Sequence, residues 1–268
     1  MELGISSFTY GWNITKNATN DLEVMDEIDL VQKTIDFNLH CLQIGDNLSL
    51  HQLTDERKIK LRSALKKHKI RFEIGAKGLT EANLAKYIQL AIFFKSPLLR
   101  FVIDDENYIP DFSKIISIIK NQLEDLKSNQ ITLGIENHDR FKSKELAHII
   151  ESIGDHAVGI CLDSANSIGA YEQLETVVAY LAEYTVNLHL KDISIRRATH
   201  KMGFVVEGAL AGQGSINIPW LIDMIRKKGN CKTAILEQWV PLKDGLSMTR
   251  AVEIQWAYEG IHYLKKIF

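Results

Sequence analysis

The chain is poor in cysteine. Its 268 residues include only Cys41, Cys161 and Cys231, which lie far apart and form no CxxC pair. Three widely spaced cysteines argue against a disulfide scaffold and against a cysteine zinc site, and they predict a reducing, cytoplasmic location. The first residues, 1–17, lack the basic start and apolar run of a secretion signal, so none is expected there.

The chain also has little net charge and no long apolar run. Its 32 basic and 34 acidic residues give a net charge of −2, so it lacks the chain-wide basic surface that binds nucleic acid. No stretch approaches about 18 uninterrupted apolar residues, so no membrane span is expected. With 46% hydrophobic residues, the composition is that of a globular protein with one sizeable core.

Prolines number only four, and no linker rich in proline, glycine or serine divides the chain, so we expect one domain over residues 1–268. Short apolar runs rich in β-branched residues alternate with amphipathic helical stretches. The eight runs are residues 2–9, 41–46, 71–76, 98–104, 131–138, 158–163, 186–192 and 233–239. This α/β alternation predicts a parallel sheet, and eight units in a chain of this length predict a closed (β/α)₈ TIM barrel.

One segment, residues 192–214, interrupts this regularity after the seventh run. A loop of that length is usually functional or mobile, and it follows the strand end where barrel active sites are built. Its glycines do not match a phosphate-binding motif, and Asn217 predicts a cap before a helix at Ile218–Lys228. Helical periodicity further predicts helices at residues 54–69, 111–129 and 247–267.

Each of the last four strands carries a polar residue near its C-terminal end: Glu136, Asp163, His189 and Glu237. Taken alone, a carboxylate at a strand end is usually a solvated loop residue or a helix cap. A single histidine there is usually a hydrogen-bonded core residue. Three carboxylates converging in one barrel repel unless one takes a proton or a cation binds. Three oxygens and an imidazole suit Mn²⁺, Mg²⁺, Co²⁺ or Zn²⁺, and the matching depth on four strands favours the metal.

Strand alternation places further polar residues beside these four. His138 shares a face with Glu136, and Lys191 shares a face with His189, so both are expected to face the pocket. Lys191 would bind a substrate carboxylate, or assist proton transfer if its pKa is depressed. The alternative for Lys191 is an ion pair with Asp192 or Glu136.

For two other charged residues, Arg100 and Arg196, two interpretations are open. Arg100, inside strand four, either binds an anionic substrate group or neutralises Glu73. Glu73 and Gln43 are expected to hydrogen-bond in the barrel core. Arg196, in the loop after strand seven, either caps an anionic substrate or belongs to a solvated charge pair. Aromatic residues that could form an apolar wall for a sugar are Phe8, Trp12 and Trp239.

With these residues in view, the chain resembles the xylose-isomerase-like barrel superfamily, and within it the sugar phosphate isomerases/epimerases that include the D-tagatose/D-psicose 3-epimerases. The motifs that carry the resemblance, in order over nearly the whole chain, are LGISSFTY, IENH, CLDSAN, LHLKD, GQGSIN and LEQW.

The resemblance implies that Glu136, Asp163, His189 and Glu237 bind one divalent ion. Among the candidate metals, Mn²⁺ is the expected one. The resemblance also implies that Glu136 and Glu237 exchange protons on opposite faces of the sugar carbon. The epimerases have a histidine where this chain has Asn166, and their loop arginine matches Arg196.

The resulting prediction is a sugar isomerase or epimerase that works through a metal-stabilised enediolate of a ketose or keto sugar acid. Its catalytic residues would be Glu136, Glu237 and Lys191, and its substrate-binding residues His138, Asn166, Arg196 and Arg100. The same enediolate arises when CO₂ leaves a β-keto sugar acid, so a decarboxylase is the alternative. An apurinic endonuclease is disfavoured because it needs many more histidines, and a non-catalytic sugar-binding barrel is disfavoured because all four ligands are present. The expected partner is a small sugar or sugar acid, and homo-oligomerisation stays open.

Overall fold

The structure, a computed structural model, describes residues 1–15 and 24–268, and within them eight parallel strands close a barrel. The strands along the chain are β1 (Glu2–Ser6), β2 (Cys41–Ile44), β3 (Arg71–Lys77), β4 (Leu98–Val102), β5 (Thr132–Glu136), β6 (Val158–Asp163), β7 (Thr185–Leu190), β8 (Asp192–Arg197), β9 (Phe204–Ala209) and β10 (Thr233–Leu236). The barrel order is β1-β10-β7-β6-β5-β4-β3-β2, with β8 and β9 outside it. The predicted (β/α)₈ barrel is therefore confirmed, and each predicted apolar run overlaps one barrel strand.

Helices surround this barrel. They are α1 (Gly11–Ile14), α2 (Glu27–Asp36), α3 (Asp55–His68), α4 (Glu81–Phe94), α5 (Phe112–Asn121), α6 (Leu123–Ser128), α7 (Ser143–Ile153), α8 (Leu174–Leu181), α9 (Ile218–Lys228) and α10 (Leu246–Leu264), with short 3-10 turns at Ser7–Tyr10, Leu50–Gln52, Asn166–Ile168 and Ala182–Tyr184. Among the described residues, no helix is both long enough and apolar enough to cross a membrane.

Local capping explains where several helices begin. The Thr80 side chain accepts a hydrogen bond from the backbone of Asn83, and the Asn217 side chain accepts one from the backbone of Trp220. Both contacts satisfy an N–H group that the first helical turn leaves free. The single helix predicted at residues 111–129 is wrong, because the backbone at Gln122 (φ −108°, ψ 2°) leaves the helical region and separates α5 from α6.

The segment predicted as a long loop is largely an antiparallel hairpin. Strands β8 and β9 pair from Asp192 opposite Ala209 to Arg197 opposite Phe204. The buried Asp192 carboxylate then accepts hydrogen bonds from the backbone of Gly212 and Gly214, each at 2.9 Å. A Cβ atom at Gly214 would lie 2.1 Å from Asp192 Oδ1, so the position requires glycine. These glycines shape a turn that is held by a carboxylate.

The barrel strands separate apolar from polar side chains by alternation. In β5 and β7, Leu133, Ile135, Leu188 and Leu190 belong to the apolar core. The alternate positions, among them Glu136, Asn187 and His189, point into the barrel, where His189 Nδ1 lies 3.8 Å from Glu136 Oε1 and Asn187 hydrogen-bonds to Glu73. The core therefore lies between strands and helices, whereas the barrel interior is polar.

Candidate active site

Four strands of the barrel bring Glu136, Asp163, His189 and Glu237 together at their C-terminal ends. Register places Asp163 beside His189, and none of the four is more than 3% exposed. His189 Nδ1 lies 3.4 Å from Glu237 Oε2 and 3.8 Å from both Asp163 Oδ2 and Glu136 Oε1. The structure thus assembles the complete predicted set around one imidazole nitrogen.

The donor atoms of this cluster fit a divalent ion. His189 Nδ1 is buried and has no hydrogen-bond partner, although three carboxylates surround it. Within the described residues, ligand atoms of Asp163, His189 and Glu237 lie within 4.8 Å of one another, as do those of Glu136, Cys161 and His189. An imidazole lone pair that faces carboxylate oxygens is the arrangement that a shared cation completes. Cys161 was not expected here, although strand alternation places it on the same face of β6 as Asp163.

Two buried cations also reach these carboxylates. Lys191 Nζ lies 2.8 Å from Asp163 Oδ2 and 3.1 Å from Glu237 Oε2. Arg100 Nε lies 2.6 Å from Glu136 Oε2. The alternative considered for Lys191, an ion pair with Asp192 or Glu136, is therefore not found, because its ammonium reaches the ends of the neighbouring strands β6 and β10 instead.

Arg100 does not neutralise Glu73 either. Its Nη1 atom lies 3.0 Å from Asp46 Oδ1, while Glu73 is paired with Arg71 at 3.0 Å. Arg100 therefore belongs to the site end of the barrel, whereas Glu73 lies one layer deeper, where β2 and β3 place Gln43 and Glu73 side by side. The expected core hydrogen bonding of Gln43 and Glu73 is confirmed.

The charges of the cluster leave it negative. Four carboxylates (Asp46, Glu136, Asp163, Glu237) face two cations, Arg100 and Lys191, so two negative charges are in excess when His189 is neutral. Such an excess in a buried site favours a further cation. The oxygens that Lys191 contacts, Asp163 Oδ2 and Glu237 Oε2, are also those nearest to His189 Nδ1 on these residues.

The electrostatics of the cluster set the protonation of its members. Burial alone lowers the pKa of Lys191, but Asp163, Glu237 and Glu136 raise it above its ordinary value. In the metal-free protein the condition for Lys191 to assist proton transfer through a depressed pKa is therefore not met, and its side chain is an ammonium at neutral pH. Burial raises the pKa of Glu237, but His189 and Lys191 bring it well below its usual range. The carboxylate is consequently ionised.

A cavity of about 460 Å³ opens onto the cluster. Its lining includes Arg100, Glu136, Asn166, Lys191 and Glu237. Asn166 Nδ2 donates to Glu136 Oε1 at 2.8 Å, and Asn166 Oδ1 accepts from Lys191 Nζ at 3.3 Å. Asn166 thus connects a predicted ligand to the neighbouring ammonium.

Aromatic and charged side chains complete the lining. The Trp239 ring lies 4.9 Å from Lys191 Nζ, and the Phe8 ring lies 5.5 Å from the Arg100 guanidinium carbon. His138 also lines the cavity, with its side chain half exposed. Trp12 is not part of the lining, and its indole N–H donates to the Val240 carbonyl.

Arg196 is not brought to the cavity. It lies on the hairpin, where its exposed guanidinium pairs with Glu207 at 3.1 Å. Besides Cys161, two residues that sequence reasoning missed reach the cluster: Asp46, the partner of Arg100, and Ser6, whose hydroxyl donates to Glu237 Oε1 at 3.0 Å. Both lie at the ends of the first two strands, so the strand-end criterion applied to β5–β7 and β10 would have found them.

Comparison with known proteins agrees with this architecture. The chain is 25% identical over 264 residues to the 3-oxo-isoapionate decarboxylase of Pectobacterium atrosepticum, with 98% of this chain and 95% of that protein aligned.

Solved structures show the same fold at low identity. A D-psicose 3-epimerase with D-tagatose from Clostridium cellulolyticum superposes with a TM-score of 0.74 at 11% identity, over 100% of this chain and 98% of the other. A xylose isomerase-like barrel protein from Mycobacterium smegmatis in complex with magnesium gives 0.71 at 14% identity, over 97% of each chain. The sequence pattern of the xylose isomerase-like TIM barrel matches residues 36–267. The chain therefore belongs to the xylose isomerase-like TIM barrel family.

Proposed function

We propose that this protein is a divalent-metal-dependent enzyme that decarboxylates a small 3-oxo sugar acid. Glu136, Asp163, His189 and Glu237 would hold the ion, since they supply three carboxylates and an unpartnered imidazole nitrogen around one point. When bound, the ion would supply an electron-withdrawing centre for the substrate carbonyl.

The observation that carries the choice of reaction is that other side chains contact both carboxylate oxygens of Glu136 and of Glu237. Glu136 is contacted by Arg100 at one oxygen and by Asn166 at the other. Glu237 is contacted by Lys191 at one oxygen and by Ser6 at the other. Epimerisation needs a carboxylate that takes a proton from carbon, whereas loss of CO₂ needs no base for its first step. Carboxylates held by cations and hydrogen-bond donors suit the second reaction better.

With the ion bound, Arg100 and Lys191 would be the buried cations that an anionic substrate meets in the cavity. Arg100 is the guanidinium that would orient an oxygen-rich anion, because its planar donors match a carboxylate. As the C–C bond to the carboxylate breaks, its electron pair moves toward the carbonyl and CO₂ departs. The carbon left behind then needs a proton, and the Lys191 ammonium, which is buried and lines the cavity, would donate it. Trp239, stacked near Lys191, would help to exclude water from this step.

Similarity supports the same reaction class. The Pectobacterium relative, aligned over nearly its full length, is a decarboxylase of a 3-oxo acid. A 3-oxo acid places its carbonyl β to the carboxylate, which is the arrangement that lets the electron pair of the breaking bond move onto oxygen. The substrate class we propose for this chain is a 3-oxo sugar acid of a size that fits a cavity of about 460 Å³.

Isomerisation or epimerisation of a ketose or keto sugar acid is the second candidate. Glu136 and Glu237 both line the cavity, and release of either from its cation would give a base. In that reaction the carboxylates would exchange protons with the substrate carbon, and no carbon would be lost.

One assay separates the two candidates. The protein is incubated in D₂O with a panel of 3-oxo sugar acids and free ketoses, with Mn²⁺, Mg²⁺, Co²⁺ or Zn²⁺ or with chelator. We expect metal-dependent CO₂ release and deuterium at the product carbon, and we expect Glu237→Gln to lose this activity. Deuterium incorporation without CO₂ release would instead establish the isomerase or epimerase. Full activity in chelator, or in Glu237→Gln, would overturn the metal site itself.

A further inference from the structure

A layer of buried polar side chains lies beneath the candidate metal site, inside the barrel. Gln43, Glu73 and Asn187 have no solvent exposure, and Thr233 has 1%. The interior of such a barrel is usually filled by branched apolar residues, and buried polar groups cost free energy unless they are hydrogen-bonded. A polar layer at this position therefore indicates that its side chains have a role in the site above it.

Glu73 is the centre of the layer and has no acceptor capacity to spare. Its Oε1 accepts from Arg71 Nε at 3.0 Å and from Thr233 Oγ1 at 2.8 Å. Its Oε2 accepts from Gln43 Nε2 at 3.2 Å and from Asn187 Nδ2 at 3.3 Å. Four donors around one carboxyl group match an ionised carboxylate. The Gln43 amide consequently presents its NH₂ group to Glu73.

A second contact fixes the same orientation of Gln43. Its Nε2 also donates to Asn187 Oδ1 at 3.2 Å, and Asn187 Oδ1 accepts from Cys161 Sγ at 3.0 Å as well. A reversed Gln43 amide would bring its carbonyl oxygen against the oxygens of both Glu73 and Asn187. The carbonyl of Gln43 is thus directed away from both.

The carbonyl oxygen of Gln43 instead points to His189. Gln43 Oε1 lies 2.8 Å from His189 Nε2. Because this oxygen can only accept, Nε2 must carry a hydrogen, and in a neutral imidazole Nδ1 then carries the lone pair. Nδ1 is the atom that faces the three carboxylates.

We infer that Glu73, acting through Gln43, is a positioning residue that selects the Nε2–H tautomer of His189 and so prepares Nδ1 as a metal ligand. This inference rests on the proposed metal-dependent function only for its consequence, because the tautomer is a property of the protein alone. Partners that orient a ligating histidine typically account for a tenfold to hundredfold change in metal affinity.

The test compares four proteins by two measurements. Nitrogen-15 NMR of the imidazole rings in metal-free protein, at a pH where His189 is neutral, reports which nitrogen carries the hydrogen. A Mn²⁺ titration followed by electron paramagnetic resonance reports affinity. The proteins are wild type, Gln43→Met, Glu73→Gln, and the double variant Gln43→Glu with Glu73→Gln.

We expect wild type to show the Nε2–H form. Gln43→Met removes the acceptor, and Glu73→Gln removes the group that orients it, so both should shift His189 toward the Nδ1–H form and weaken Mn²⁺ binding by roughly 10- to 100-fold. The double variant exchanges amide and carboxylate, which returns an acceptor to His189 Nε2 and keeps the charge of the layer. It should restore both the tautomer and the affinity.

Circular dichroism and thermal unfolding check that each variant is folded. If one single variant does not fold, the double variant still tests the proposal. An unchanged tautomer in the folded single variants, or a double variant with no recovery of the Nε2–H form, would overturn the positioning role. Absence of Mn²⁺ binding in wild type would overturn the proposed metal-dependent function while leaving the tautomer result intact.

Discussion

Lys191 makes the sharpest quantitative prediction, because its ammonium and a divalent ion would share carboxylate oxygens. Nζ lies 2.8 Å from Asp163 Oδ2 and 3.1 Å from Glu237 Oε2, and the lysine is 5% exposed. Lys191→Met keeps the length of the side chain and removes the charge. Loss of one partner from a buried ion pair costs about 3–5 kcal/mol, because the other charge stays buried without compensation.

In chelator, Lys191→Met should therefore unfold at a temperature roughly 10 °C lower than wild type, given about 2–4 °C per kcal/mol for a chain of this size. A divalent ion should bind the variant more tightly, since no ammonium has to leave the carboxylates. If about 2 kcal/mol of the lost stability returns with the ion, Mn²⁺ affinity rises about thirtyfold. Decarboxylation should nevertheless fall by at least about a hundredfold, because the proton donor is gone.

The assay is calorimetric unfolding and Mn²⁺ titration, each with and without chelator. Lys191→Arg, which keeps the charge, should resemble wild type in stability. Lys227→Met is the matched control, because Lys227 pairs with Asp223 on the exposed surface of α9, where both side chains are 63% exposed. Equal or weaker Mn²⁺ binding by Lys191→Met than by wild type would refute the reasoning, since it would mean that ammonium and ion do not compete.

Three further predictions follow from the structure. Arg100→Gln should raise KM for a 3-oxo acid at least tenfold in steady-state measurements of CO₂ release, because the planar donors that would bind the substrate carboxylate are lost; an unchanged KM would remove its role in anion binding. Burial lowers the pKa of His189, but Glu237 and Glu136 raise it above 6.5. Protonation of His189 therefore stabilises the metal-free protein fully below pH 6.5, and this stabilisation is lost as the pH rises through the raised pKa. Mn²⁺ affinity should accordingly rise about tenfold per pH unit up to that value and then level off, and a pH-independent titration would contradict this. Gly214→Ala should destabilise the protein by about 2 kcal/mol in calorimetry because its Cβ would overlap the Asp192 carboxylate, whereas Gly11→Ala, whose nearest contact is 3.8 Å, should not.

The barrel was predictable because its signals are local. Apolar runs of β-branched residues give strands, amphipathic periods give helices, and parallel strands in such a fold bring their C-terminal ends to one rim. Glu136, Asp163, His189 and Glu237 each lie within one residue of the C-terminal end of a strand, so their convergence followed from topology without knowledge of any side-chain contact. Their distances to His189 Nδ1 agree with that expectation.

The partners of the long cations were not predictable in the same way. Arg100 pairs with Asp46 and Glu136, which lie on two different strands, and the reach of a flexible side chain allows several such choices. The hairpin of β8 and β9 was missed because the charged and glycine residues of the segment outweighed its short alternating stretches. Arg196 consequently lies on a paired strand with Glu207, away from the cavity.

The hydrogen bonds from Glu73 through Gln43 to His189 join residues that lie far apart in the sequence, and only the closed barrel brings them together. Sequence alternation indicated that these side chains point inward, but not which atom meets which. Hydrogen-bond direction, read from the donors and acceptors in the structure, supplies that information.

The most direct test of the central claim is anomalous diffraction from a crystal of the wild-type protein soaked in Mn²⁺. The account predicts one strong anomalous peak coordinated by His189 Nδ1 and by the carboxylates of Glu136, Asp163 and Glu237. A map without a peak at that point, with Lys191 still bridging Asp163 and Glu237 at a saturating concentration of Mn²⁺, would contradict it.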